Sequence, residues 1–97
     1  MTAAVPQGRC HPKFARVRDA FAKEFADGNE VGASLCVTLE GETVVDLWGG
    51  LRDGARAQPW ERDTLANVYS TTKGITAIAA HRLVDEGLLD LVAPVAR

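Results

Sequence analysis

The 97 residues are 46% hydrophobic and 25% charged, and 11 Lys and Arg against 13 Asp and Glu leave a net charge of −2. That balance describes a globular chain with one modest core, not a disordered or collagenous one. The interspersed signs offer no basic stripe to a phosphate backbone, so nucleic acid is not an expected partner. Met1 to Cys10 lacks the apolar centre of a signal peptide, and no run reaches the roughly 20 residues that cross a bilayer. A cytoplasmic protein without a membrane partner is the expectation.

Cys10 and Cys36 are the only cysteines, too few for a disulfide framework or a four-ligand zinc site, so two free thiols are expected. Cys10-His11 could hold a metal only with ligands from elsewhere. No metal and no cofactor is predicted.

Residues 1–11 read as a flexible start. Phe14, Val17, Phe21 and Phe25 then recur at helical spacing, predicting an amphipathic helix from Pro12 to Ala26 that Asp27-Gly28-Asn29 stops. Ala33, Leu35, Val37 and Leu39 alternate with Ser34, Cys36 and Thr38, the period of a half-buried strand. Glu40-Gly41-Glu42 turns the chain into a second strand, Thr43 to Trp48, and Gly49-Gly50 is read as the end of this antiparallel hairpin. Residues 51–67 read as a surface connection in which Trp60 is an anchor. A helix follows from Ser70 to Glu86, with Ile75, Ile78, Ala79 and Leu83 on one stripe and Gly87 as its stop. A lone hairpin is marginal in water, so the sheet requires strands beyond these two, from another copy or from more chain.

Ser70-Thr71-Thr72-Lys73 falls where loop becomes helix. A serine there is ordinarily a cap, and a capping box would place Glu or Gln three positions later. Lysine stands in that position and faces the positive end of the helix dipole, which costs about 0.3 to 1 kcal/mol. A second reading explains the cost. Residues i and i+3 share a helix face, so an uncharged Lys73 amine could take the proton of the Ser70 hydroxyl as it attacks a carbonyl. The backbone N–H of Ser70 would then face the developing oxyanion. A protonated amine has no lone pair to offer, so this reading also requires surroundings that disfavour its charge. From the residues alone, nucleophile and capping serine both stand.

Other candidates carry less. His81 lies eleven residues beyond Ser70, about 16 Å along a helix axis, too far to serve as its base. Ser34 has Gly32 before it but Cys36 after it, so no Gly-x-Ser-x-Gly elbow exists. Asp85 and Glu86 read as a solvated helix end. Gly74 is either a tolerated first-turn glycine or a point of close approach by another backbone.

The run Val68-Tyr69-Ser70-Thr71-Thr72-Lys73-Gly74-Ile75-Thr76-Ala77 resembles the nucleophile segment of the serine β-lactamase-related family, which holds class C β-lactamases, D-amino-acid peptidases and family VIII carboxylesterases. Gly32-Ala33-Ser34-Leu35 and Val44-Val45-Asp46-Leu47-Trp48-Gly49-Gly50 resemble its first hairpin, and Leu83 to Leu91 resembles the segment after its nucleophile helix. The wording is more similar to the esterase branch than to the lactamases. The resemblance implies an α+β fold of the β-lactamase/transpeptidase type, represented here by the amino-terminal helix, the first hairpin and the helix bearing the nucleophile.

It also implies a two-step acyl transfer on a small-molecule ester or amide, with Ser70 as nucleophile and Lys73 as general base. Members add a tyrosine from a later Tyr-x-Asn segment and a strand bearing Lys or His, then Thr or Ser, then Gly. Tyr69, the sole tyrosine, precedes Ser70 and cannot stand for the former, and the triplet is absent. Residues 1–97 are therefore expected to be one partial domain of a longer hydrolase, inactive by itself. Ester hydrolysis is the leading expectation for the parent protein. Its alternatives are β-lactam or D-amino-acid peptide hydrolysis, and a non-catalytic chain that binds a partner through its hairpin edge. Oligomeric state is left open by the sequence.

Overall fold

In the computed structural model, which describes residues 5–55 and 57–96, the chain divides after Thr64 into two units, each taken by itself. The first holds β1 (Gln7–Cys10), a 3-10 turn (Pro12–Phe14), α1 (Ala15–Ala26), β2 (Gly32–Leu39), β3 (Glu42–Asp53) and β4 (Gln58–Pro59). The second holds a 3-10 turn (Tyr69–Thr71) and α2 (Thr72–Asp85).

The predicted hairpin forms. Glu40 and Gly41 both take positive φ, 52° and 82°, as a two-residue turn of the primed type requires to match strand twist. Leu39 then faces Glu42, Leu35 faces Leu47 and Ala33 faces Gly49. A bulge interrupts this register: Val37 pairs with Val45 but Thr38 pairs with Thr43, leaving Val44 as the extra residue.

Three expectations are corrected here. The start is not loose throughout, because Gln7–Cys10 pairs antiparallel with Val45–Trp48 of β3; for residues 1–4 the expectation lies outside the described residues. The hairpin is also not alone. The sheet runs β1-β3-β2, with β4 against Leu51 and Asp53 of β3, so the chain itself supplies two further strands. Finally, Gly49-Gly50 does not end the second strand, which continues to Asp53.

The reason lies in the packing of α1. Val45 and Leu47 are wholly buried on one face of β3, and Phe25 of α1 is buried with them. Burial of each such side chain is worth about 1.5 to 3 kcal/mol. Phe21 meets Phe25 edge to face at a centroid distance of 5.2 Å. A Cβ on Gly49 would lie 3.6 Å from the Phe25 ring, an ordinary van der Waals contact, so the ring packs directly over this residue. Gly50 takes φ +81°, and a Cβ there would fall 2.1 Å from the Val31 carbonyl oxygen. At Gly50 the Val31 backbone and the Phe25 ring, 2.8 Å from such a Cβ, occupy the space that a side chain would need.

Gly28, at φ +76°, ends α1, with its N–H donating to the Phe25 carbonyl at 3.1 Å and that of Asn29 to Glu24 at 2.9 Å. Lys23 pairs with Asp27 across the last turn, and this hydrogen bond raises the lysine above its ordinary pKa. Trp60 is an anchor as read: its backbone N–H donates to the Gly50 carbonyl at 2.9 Å, and its ring occupies the space above Gly32.

In the second unit Gly87 closes α2. Its N–H donates to Val84 at 3.0 Å and that of Leu88 to Leu83 at 2.9 Å, the paired bonds of a left-handed helix stop. No helix among the described residues is long and apolar enough to cross a membrane.

Two glycines separate backbone strain from space. Gly50→Ala should destabilise the full-length protein by about 2 kcal/mol or more, because it meets both a positive φ and an occupied volume. Gly28→Ala shares the positive φ but has nothing within 4 Å of its Cβ, and should cost about 1 kcal/mol. Urea denaturation checks the order, and equal losses would refute the packing account.

Candidate active site

Ser70 lies in the 3-10 turn and Lys73 in the first turn of α2, two positions earlier in helical register than a helix starting at Ser70 would give. The i, i+3 relation survives, and Lys73 Nζ donates to Ser70 Oγ at 3.3 Å. The sequence left a capping role for Ser70 open. The structure gives it none: neither the turn nor α2 has a side-chain cap, and the Ser70 oxygen is engaged by the amine.

Tyr69, Ser70, Thr72, Lys73 and Thr76 line an open depression of about 410 Å³. Thr72 and Thr76 were not singled out in the sequence, although positions 69, 72, 73 and 76 follow the i, i+3, i+4, i+7 spacing of one helix face. Thr76 Oγ1 donates to the Thr72 carbonyl at 3.2 Å.

The backbone of the turn is unusual. Tyr69 takes φ +47°, a left-handed conformation that costs an ordinary side chain about 1 to 2 kcal/mol. Its N–H donates to Asn67 Oδ1 at 2.9 Å, and the Thr71 N–H donates to the Val68 carbonyl at 3.0 Å. Between them the Ser70 N–H has no acceptor among the described residues. An amine, a hydroxyl and an unspent amide thus stand within four residues. In the observed bond the amine is the donor; with the bond reversed, the hydroxyl would donate to a neutral amine, which is the arrangement a base requires.

The remaining candidates fall elsewhere. His81 is exposed on α2, and Ser34 is an exposed residue of β2. His11 Nδ1 accepts the Lys13 N–H at 3.1 Å as a cap of the first 3-10 turn, and Cys10 Sγ donates to the Phe14 carbonyl at 3.3 Å. On the polar side of the sheet, Arg62 bonds Asp46 at 3.1 Å beside Arg9 and Cys36. Among the described residues, nothing lies within 4 Å of a Cβ built on Gly74.

The comparisons with known proteins agree with this fold. The pattern of the Beta-lactamase family matches residues 17–97, and the chain belongs to that family. It is 47% identical over 89 residues to Esterase/beta-lactamase LipL of Mycobacterium tuberculosis, a match covering 92% of this chain and 21% of LipL. It is 39% identical over 83 residues to Esterase EstB of Burkholderia gladioli, covering 86% of this chain and 21% of that protein. Among solved structures, a family VIII carboxylesterase superposes with a TM-score of 0.87 at 58% identity, over 94% of this chain and 25% of the other. A penicillin-binding protein homolog from Caulobacter crescentus gives 0.80 at 49% identity, over 84% and 22%. The fold is therefore α+β of the β-lactamase/transpeptidase type, and the chain spans about a fifth of the length of these curated relatives.

The space beside Gly74 yields a direct test. Gly74→Ala in the 97-residue chain should raise helix content, since alanine is favoured in a helix interior by about 1 kcal/mol. Far-UV circular dichroism checks it, and a fall in helicity would show that the position needs its glycine.

Proposed function

We propose that the full-length protein hydrolyses carboxylic esters through a serine-bound acyl intermediate, with Ser70 as nucleophile and Lys73 as general base. The observation that carries this reading is the 3.3 Å approach of the Lys73 amine to the Ser70 hydroxyl. Relatives named as esterases and a family VIII carboxylesterase at 58% identity support the ester as substrate class.

In the proposed sequence, the Ser70 oxygen attacks the ester carbonyl carbon while neutral Lys73 takes its proton. The carbonyl oxygen gains the electron pair and is held by the Ser70 N–H, an amide already aimed and therefore needing no reorganisation. Collapse expels the alcohol, which leaves with the proton from Lys73, and the acyl group stays on Ser70. Water then repeats the path: it attacks the acyl carbon, gives a proton to Lys73, and releases the carboxylic acid as Ser70 recovers its own. Small-molecule esters are the proposed partners of this site.

A fluorophosphonate probe tests the assignment. It should label the full-length protein on Ser70, and Ser70→Ala should abolish labelling and turnover. Lys73→Ala should lower kcat by roughly 10² to 10⁴. Labelling that persists in Ser70→Ala, or that never reaches Ser70 in the wild type, would remove the proposal in favour of a binding role.

The relative named both esterase and beta-lactamase keeps a β-lactam reading in view. A short-chain nitrophenyl ester should be turned over with higher kcat/KM than nitrocefin, and the reverse order would transfer the assignment to lactam hydrolysis.

A further inference from the structure

The turn that carries Ser70 spends every amide but one. The Tyr69 N–H is bonded to Asn67 Oδ1 at 2.9 Å, and the Thr71 N–H to the Val68 carbonyl at 3.0 Å. The Thr72 N–H bonds back to the Tyr69 carbonyl. Only Ser70 is left with a free N–H among the described residues of the turn.

Left-handed Tyr69 is the cause. Were Tyr69 right-handed, the helix would run backwards through Val68 and Asn67. The Ser70 N–H would then lie inside it, bonded to a carbonyl three or four residues upstream. The break at Tyr69, φ +47°, prevents this. Tyrosine does not enter that region unaided. Among the described residues burial does not hold it there, because Tyr69 is 79% exposed. The group that closes on its amide is the Asn67 side chain, in the two-residue bridge that asparagine makes to the chain ahead of it.

We infer that Asn67 is a positioning residue for acylation of Ser70: its side-chain oxygen holds Tyr69 left-handed, and so keeps the Ser70 N–H unspent and available to the oxyanion. The inference rests on the reading of Ser70 as nucleophile. Asn67 touches neither substrate nor the reacting atoms in this account. It acts through the conformation of its neighbour, so its effect should depend on what residue that neighbour is.

Fluorophosphonate labelling of the full-length protein, followed against probe concentration, separates binding from the chemical step. Asn67→Ala should lower the maximal labelling rate about tenfold and leave the half-saturating concentration within about twofold. Asn67→Ser retains a shorter acceptor and should lose about threefold. Glycine enters the left-handed region without cost. In a Tyr69→Gly background, therefore, the same Asn67→Ala change should cost less than about twofold. General damage to the fold would not vanish on removing a second side chain.

Wild-type labelling on Ser70 with an unchanged rate in Asn67→Ala would overturn this inference and leave the nucleophile standing. A tenfold loss that persists in the Tyr69→Gly background would also overturn it. If Asn67→Ala does not fold, Asn67→Ser with and without Tyr69→Gly carries the same comparison. A wild-type protein unlabelled on Ser70 overturns both readings together.

Discussion

Val45 and Leu47 point to the same side of β3, and α1 brings Phe25 against that side, so that these three side chains form the hydrophobic core among the described residues. The strands and helix of the first unit are arranged about this contact. It requires β3 to alternate faithfully across the buried stretch, and it requires Gly50 to leave the Phe25 ring its seat. It also requires strands on both sides of β3 to occupy its backbone groups, since a strand buried with free amides would forfeit more than the burial returns. β2 meets that need on one side and β1 on the other, and β4 pairs with β3 at Leu51 and Asp53.

The second unit obeys a different constraint. A helix start always leaves amides without intrahelical partners, and most proteins bury that deficit in a capping side chain. Here the serine that would ordinarily cap holds its oxygen toward Lys73. Asn67, upstream of the turn and outside its cap position, accepts the Tyr69 N–H instead. The deficit is thereby narrowed to one amide, that of the residue whose hydroxyl faces the amine. Backbone accounting and side-chain chemistry converge on Ser70 from independent directions.

Periodicity made most of this visible before any coordinates. The helix ending at Ala26, the strand from Ala33 and the helix ending before Gly87 are strong patterns with glycine stops, and the Ser70–Lys73 spacing follows from i, i+3 geometry alone. What periodicity could not show was decided by contacts distant in sequence. Gln7–Cys10 has no alternating apolar pattern; it is a strand because β3 offers it a ladder. Gly49-Gly50 resembles a terminator until Phe25 is known to lie over it. Asn67 was legible only as a turn former, because nothing local says which amide its side chain will take. Tyr69 is the same case, since a tyrosine gives no sign in sequence of positive φ.

The bulge at Val44 has a consequence for how this sequence can change over time. Side chains on a strand alternate, and the single extra residue keeps Val45 opposite Val37 while Thr43 stands opposite Thr38. Deleting Val44 would leave both pairs in a regular ladder, whereas inserting one residue between Val45 and Leu47 would put those two side chains on opposite faces of β3. Point substitutions at Thr43, Asp46 or Arg52 leave that alternation intact. Between Val45 and Gly49 drift is thus free to alter the chemistry of the outer face while being held to a constant length.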